Sequence, residues 1–241
     1  MNNKKCWSVA ESLLSVLGGT ESTRFLFLWG PAGTGKTFAA SKTGLREEQQ
    51  SISVTITDET AAADLLGYYI NAGPAGFIWQ DGPAARAWRT GARLVLNEID
   101  HANGDLTALL HVICDNTASA SLALVTGETL TPHPRFVAVA TSNASPEDAL
   151  RTEGMRSRFS ARVHINTPHE ALIATLPMEL QEIARSTSVH AEEDQRISMR
   201  AWRTFVDIRE SLSWETAAFV VFGENRHQAV LDSLKIAQAK I

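Results

Sequence analysis

The segment from Gly30 to Thr37 constrains the fold of this chain more than any other. It reads Gly-Pro-Ala-Gly-Thr-Gly-Lys-Thr and lies between the apolar run 25–29 and the helix-forming stretch 38–45. Glycines let backbone N–H groups converge on an anion, and the following helix adds unpaired N–H groups and the positive end of its dipole. The pattern therefore predicts a strand, a phosphate-binding loop and a helix, in that order.

This loop also supplies candidate binding residues. Lys36 is expected to reach the β- and γ-phosphates of a nucleoside triphosphate, and Thr37 is expected to hold Mg²⁺. The other loop residues are expected to wrap the phosphates with their backbone, and they are Gly30, Pro31, Ala32, Gly33, Thr34 and Gly35. We therefore predict that the chain binds a nucleoside triphosphate.

Composition limits the class of protein. The 241 residues can form one large domain or a main domain with a small satellite, and 44% apolar with 20% charged residues is typical of a globular protein. The net charge of −5 argues against a broad, non-specific grip on nucleic acid. No apolar stretch approaches the roughly 20 residues of a membrane helix. Cys6 and Cys114 lie far apart, which favours reduced thiols in a cytoplasmic protein.

Five apolar runs of β type alternate with helical segments. They are residues 25–29, 52–56, 92–96, 136–140 and 161–165. Near-continuous apolar strands between helices are typical of a parallel sheet that is covered on both faces. We therefore predict an α/β fold of the P-loop NTPase type with a five-stranded parallel sheet.

Other stretches depart from this alternation. Residues 67–82 are rich in glycine and aromatic residues, and 119–135 resemble a hairpin that turns at 126–128. After Pro168 only helical periodicity is present. We therefore predict an α/β core over 1–168 and a small all-helical domain over 169–241.

Polar residues end two of the predicted strands. The predicted strand 92–96 runs into Asn97-Glu98, and the strand that begins at Phe136 ends at Asn143. Carboxyl ends of parallel strands meet at the edge where ligands bind, so Glu98 is the candidate base for a water that attacks the γ-phosphate. If the second strand lies between the strands that carry the phosphate loop and Glu98, Asn143 can orient that water or contact the γ-phosphate; the alternative is a turn-forming residue. For Asn97-Glu98, the alternative is that the strand simply ends on ordinary surface polar residues.

Together these segments resemble the AAA+ ATPases, and among them the MoxR-like branch with its CbbQ, NorQ and CobS types. The resemblance is carried by 30–37, 94–100, 140–143, 154–159 and 197–200, and it covers most of the chain. It implies ATP and Mg²⁺ as cofactors. It also implies that the helical domain is a lid.

The resemblance assigns roles to single residues. Lys36 and Thr37 match the Walker A pair, Glu98 the Walker B glutamate and Asn143 sensor 1. Family members usually carry an aspartate at the position of Asn97, which supports Mg²⁺. Asparagine keeps an oxygen there but loses the charge.

Three arginines and one aspartate complete the predicted site. Arg158, with Arg156 as the alternative, matches the arginine that such proteins insert into a neighbour's active site, and Arg200 matches sensor 2. A solvated or salt-bridged cluster with Arg162 is the competing interpretation of the first two, and simple solvation that of Arg200. Asp100 is a second candidate for the metal role of Asn97.

Aromatic residues allow two interpretations. In the insert, Tyr68, Tyr69, Phe77 and Trp79 either grip a polypeptide or form a local hydrophobic cluster. Trp7 is interpreted as a core residue, with packing on adenine as the alternative.

The functional expectation is an ATP-hydrolysing protein that remodels or activates a partner protein as a homo-oligomeric ring. The resemblance implies a hexamer and a von Willebrand A-domain protein as partner. The first alternative is a nucleotide-gated scaffold that hydrolyses weakly because of Asn97. A nucleic-acid translocase is the second alternative, which the acidic balance disfavours.

Overall fold

The computed structural model of the protein describes residues 5–20, 23–189 and 195–238. Its strands are β1 Phe25–Trp29, β2 Ser51–Thr55, β3 Gly67–Asn71, β4 Phe77–Asp81, β5 Arg93–Asn97, β6 Leu122–Ala123, β7 Thr129–Leu130, β8 Val137–Ser142 and β9 Ala161–His164. Its helices are α1 Lys5–Val16, α2 Lys36–Lys42, α3 Ala62–Leu66, α4 Pro83–Thr90, α5 Gly104–Ile113, α6 Pro146–Ala149, α7 Glu153–Arg158, α8 Glu170–Ile173, α9 Met178–Thr187, α10 Met199–Ile208, α11 Trp214–Phe222 and α12 His227–Gln238.

Five strands form one parallel sheet in the order β2-β5-β8-β1-β9. The predicted five-stranded parallel sheet is therefore confirmed, and each predicted strand agrees with the observed one to within two residues at either end. Strand β8 pairs with both β1 and β5. The ends of these three strands consequently lie side by side at one edge of the sheet.

The central strands are buried because helices cover both faces of the sheet. Every residue of β5 and β8 is buried, and large side chains such as Trp88, Phe136 and Phe159 pack in the same core. Burying one such side chain contributes roughly 1.5–3 kcal/mol, so these strands form a rigid frame for the residues at their ends.

Two antiparallel hairpins interrupt the α/β alternation, as expected for 67–82 and 119–135. They are β3–β4 and β6–β7. The guanidinium of Arg89 bridges them, because it lies 2.8 Å from a carboxylate oxygen of Asp81 and 2.7 Å from one of Glu128.

Contacts divide the chain into two compact units. The α/β unit comprises 8–30 and 36–164, and the helical unit comprises the described parts of 1–7, 31–35 and 165–241. The helical unit has its own core, in which the rings of Trp202, Phe205 and Phe222 pack against one another. The domain boundary after residue 168 stays a prediction.

Arg93 is a buried cation at the start of β5, with only 1% of its surface exposed. Its Nη1 donates to the carbonyls of Ala40 and Thr43 at 3.0 and 2.6 Å, and its Nη2 donates to those of Leu14 and Gly44 at 3.1 and 2.8 Å. Burial lowers the pKa of this guanidinium to about 10. Arg93 thus fastens the end of α2 and the end of α1 to the sheet.

Candidate nucleotide-binding site

Lys36 is the central residue of the candidate site. It is the first residue of α2 and only 7% exposed. Its Nζ donates to the carbonyl of Gly30 at 2.7 Å and to Oδ1 of Asn143 at 3.0 Å. The backbone N–H of Gly30 in turn donates to the carbonyl of Ser142 at 3.3 Å. The neighbouring ends of β1 and β8 therefore position this ammonium group.

Charge around Lys36 comes from the residues that follow β5. Burial lowers the pKa of Lys36 to about 8, while the carboxylates of Asp100 and, to a smaller extent, Glu98 favour the charged form. The structure thus brings the lysine, Asn143 and both carboxylates into one electrostatic neighbourhood. A desolvated ammonium in such a place is a strong binding group for a phosphate, because little solvent screens the interaction.

Asn143 follows β8, and its side chain is directed to Lys36. The turn after the strand is closed by Ser142, whose Oγ accepts from the N–H of Ala144 at 2.8 Å. The side chain of Asn143 instead accepts from Lys36. Asn143 is consequently placed beside the lysine rather than used as the turn residue.

Glu98 has an unusual backbone. Its φ of 56° and ψ of 46° lie in the left-handed region. Among the described non-glycine residues, Glu48 is the only other one with a positive φ. Its neighbours Asn97 and Ile99 are both buried, whereas Glu98 itself is exposed. The buried flanks hold the strained residue at the sheet edge, and strain of this kind concentrates at functional sites.

Asn97 is buried at the end of β5, and its Oδ1 accepts from the hydroxyl of Thr141 on β8 at 3.2 Å. The amide oxygen that we expected to support a metal is therefore already bonded to the neighbouring strand.

The tip of the loop, 31–35, belongs to the helical unit. Gly33 and Gly35 have φ of 76° and 101°, and a Cβ on either would lie 2.8 Å from a side-chain carbon, of Ser198 and Leu172 respectively. Only glycine fits both the backbone and the space. The backbone at the tip therefore depends on glycine at both positions, and phosphate binding by this loop stays a prediction.

A cavity of about 180 Å³ lies beside the loop tip within the helical unit. It is lined by Pro31, Ala32, Gly33, Thr34, Pro168, Ser188, Arg196, Ile197, Ser198 and Met199. Arg200 follows Met199 as an exposed residue at the start of α10. Residues 197 and 198 belong to the segment 197–200 that carries the family resemblance, whereas Ser188 and Arg196 stand in no motif and become neighbours of the loop only through the packing of this unit.

Arg156, Arg158 and Arg162 are held by backbone carbonyls. Arg158 donates to the carbonyls of His111 and Gly154 at 3.0 and 3.3 Å, and Arg156 donates to that of Leu150 at 2.9 Å. Arg162 donates to the carbonyls of Phe159 and Arg156. Within 5–20, 23–189 and 195–238 none of the three forms an ion pair, so the salt-bridged interpretation is not what the structure contains.

A metal ion at this site would depend on the nucleotide. Among the described residues no group of three or more His, Cys, Asp or Glu side chains could hold one. Mg²⁺ in such sites is bound by one or two protein oxygens together with phosphates and water, and Thr37, exposed beside Lys36, offers a hydroxyl of that kind. The residues present fit a cation that arrives with a triphosphate.

The model of the AAA domain family (dynein-related subfamily) matches residues 25–159, which is more than half of the chain. The chain belongs to this AAA family. The match covers β1 to α7 and includes Lys36, Glu98 and Asn143.

Relatives agree with this assignment. The chain is 37% identical to the denitrification regulatory protein NirQ of Pseudomonas aeruginosa over 138 residues, which are 56% of this chain and 52% of that protein. It is 35% identical to the protein NorQ of Paracoccus denitrificans over 138 residues, 56% of this chain and 50% of that protein. The chain thus spans about half the length of these relatives. The predicted resemblance to MoxR-like AAA+ ATPases, including the NorQ type, is confirmed.

A solved structure shows the same fold. NtrX from Brucella abortus aligns with a TM-score of 0.54 over 97% of this AAA chain and 68% of its own chain, at 14% identity. Over the residues described, we find no helix with the length and apolar character needed to traverse a bilayer.

The aromatic residues of this AAA chain divide into two groups. Tyr68, Tyr69 and Phe77 are exposed on the β3–β4 hairpin. Trp79 packs against the α/β core, and its Nε1 donates to Oδ1 of Asp81 at 2.7 Å. Trp7 is buried in the helical unit, where its Nε1 donates to the carbonyl of Thr167 at 2.7 Å. Trp79 and Trp7 therefore serve packing, and the ring of Tyr69 lies edge-on to that of Trp79 with 5.4 Å between centroids; a grip on a polypeptide stays a prediction.

Proposed function

We propose that this AAA chain binds ATP with Mg²⁺ and hydrolyses it. The carrying observation is the position of Lys36, whose buried ammonium is bonded to Gly30 and Asn143 and lies in the field of Asp100 and Glu98. A phosphate-binding lysine beside a candidate base and a candidate water-orienting amide is what in-line attack on a γ-phosphate needs.

Each side chain then has a distinct task. Lys36 binds the β- and γ-phosphates, Glu98 accepts the proton of the attacking water, and Asn143 orients that water. Thr37 holds the cation, and bound Mg²⁺ supplies positive charge that offsets the charge developing on the phosphates. The contact of Arg200 with the nucleotide, as sensor 2, stays a prediction.

The finer proposal is that copies of the chain form a ring, predicted to be hexameric, that activates a partner protein. Arg158 supports it, because its guanidinium is bonded to backbone carbonyls and forms no ion pair with a carboxylate of the described residues. The relative NirQ carries the name of a denitrification regulatory protein, which agrees with an activator role. A von Willebrand A-domain protein as the partner, and a cytoplasmic location, stay predictions.

One observation favours a second function, that of a nucleotide-gated scaffold with weak hydrolysis. Asn97 carries no charge, and its oxygen is bonded to Thr141. If no other residue compensates, ATP binding would drive assembly while turnover stayed slow.

Phosphate release by the purified chain tests these proposals. Lys36→Ala is expected to abolish ATP binding, whereas Lys42→Ala, which removes an exposed lysine from the other end of α2, is the matched control. Glu98→Gln is expected to bind ATP and to lose turnover. ATP binding that survives Lys36→Ala unchanged would contradict the site.

Oligomerisation has its own measurement. Turnover per chain is expected to rise with protein concentration, together with the mass of the assembly in light scattering. Arg158→Ala is expected to lose this turnover more than Arg156→Ala. Turnover that does not depend on concentration would remove the role of a neighbouring arginine, and stimulation by DNA would favour the translocase alternative.

A further inference from the structure

The site lacks the carboxylate that AAA+ proteins usually place directly before the Walker B glutamate. Asn97 stands at that position, and it is only 7% exposed. Its Oδ1 accepts from Thr141 at 3.2 Å, so Asn97 offers no negative charge and its oxygen already links β5 to β8. A negative charge for Mg²⁺ at this strand end therefore has to come from another residue.

Asp100 is held firmly near the same strand end. It lies in the 3-10 turn Ile99–His101, which is anchored by the buried side chain of Ile99. The backbone carbonyl of Asp100 also accepts from Nη2 of Arg151 at 2.9 Å. Two contacts thus hold the backbone of Asp100, and they limit where its carboxylate can lie.

One oxygen of this carboxylate has no hydrogen-bond donor. Oδ1 of Asp100 is buried and without a hydrogen-bond partner among the described residues, while Oδ2 lies 3.8 Å from Nε2 of His101. Leaving a charged oxygen buried and unbonded costs free energy, and an ion that binds this oxygen when the nucleotide is present would remove that cost. Carboxylate oxygens are the protein ligands that Mg²⁺ prefers.

We propose that Asp100, in place of Asn97, is the acidic residue that binds the Mg²⁺ of the nucleotide. This inference rests on the proposed function, because the cation enters with ATP. Asp100 replaces the missing charge from three residues further along the chain, and Asn97 becomes a structural link to Thr141. Hydrolysis then does not require an aspartate at position 97.

Magnesium-dependent binding tests this proposal without measuring turnover. The dissociation constant of a fluorescent, non-hydrolysable ATP analogue is measured with Mg²⁺ and with EDTA, and the ratio of the two constants gives the gain due to magnesium. Asp100→Asn is expected to reduce this gain at least tenfold and to leave affinity in EDTA equal or higher, because a carboxylate that repels phosphate is removed. Asp58→Asn is the matched control, since Asp58 also contacts His101, at 3.3 Å, and is exposed.

A rescue variant keeps the test independent of folding. Asn97→Asp combined with Asp100→Asn is expected to regain most of the magnesium effect, since the charge returns to its usual position. A gain in Asp100→Asn equal to that of the unaltered chain would overturn the proposal. So would an equal loss of affinity in Mg²⁺ and in EDTA, because that pattern identifies Asp100 as a mere partner of Lys36. Loss of binding by the unaltered chain itself would instead refute the proposed function.

Discussion

The buried guanidinium of Arg93 should be one of the largest single contributors to the stability of the α/β unit. We expect Arg93→Met, which keeps the apolar stem and removes the charge, to leave four carbonyls without a donor. Hydrogen bonds from a charged donor contribute about 1.5–3 kcal/mol each but are not additive. The cost of burying the charge offsets part of this, because a pKa lowered from 12.5 to about 10 corresponds to roughly 3 kcal/mol.

The expected net loss is therefore about 3–5 kcal/mol, which is large for one substitution because a buried hydrogen-bond network is broken. For a chain of this size that lowers the melting temperature by roughly 6–20 °C, measurable by circular dichroism. The melting temperature of Arg93→Lys should lie between those of the parent chain and Arg93→Met, since one ammonium cannot reach all four carbonyls. Arg86→Met, at an exposed site on α4, is the control and should change stability by at most about 0.5 kcal/mol. A melting temperature of Arg93→Met within about 2 °C of that of the parent chain would refute this reasoning.

Three further predictions concern the site and the hairpin. Because the pKa of Lys36 in the ligand-free chain is about 8, its charge is lost as pH rises through that value. ATP affinity, measured by fluorescence titration, should therefore fall between about pH 7 and about pH 9. Lys36→Arg should show no such fall, because a guanidinium stays charged over this range. If Arg158 acts on a neighbour, a mixture of Arg158→Ala and Glu98→Gln chains should release phosphate although each alone does not, and failure of this complementation would count against a shared site. Phe77→Ser should leave the melting temperature unchanged because Phe77 is 72% exposed, whereas Trp79→Ser should lower it; the opposite order would show that the hairpin packs differently.

Much of the candidate site follows from the sequence because parallel strands bring their carboxyl ends together. Lys36 and Asn143 are more than a hundred residues apart, yet each follows a strand whose apolar run is legible, and the two side chains are in contact. That prediction required β8 to lie between β1 and β5, and the strand order meets this condition.

Other features lie beyond pattern reading because they depend on contacts between distant segments. In the sequence, Arg93 looks like a surface arginine within an apolar run. Its structural role depends on carbonyls such as that of Leu14, which only the fold brings near it. No motif in the sequence predicted the helix α1. Asp100 could be named as a candidate, but its unbonded oxygen depends on how the turn is held by Arg151.

The left-handed backbone of Glu98 implies a trade-off at a single position. Holding a glutamate in that conformation costs on the order of 1–3 kcal/mol, a cost that glycine would not incur. Glu98→Gly should consequently melt at a higher temperature than the parent chain while it forfeits its chemistry. The chain is thus less stable than it would be with glycine at position 98, and it keeps a carboxylate at the sheet edge. Selection for thermal stability alone would be expected to replace Glu98.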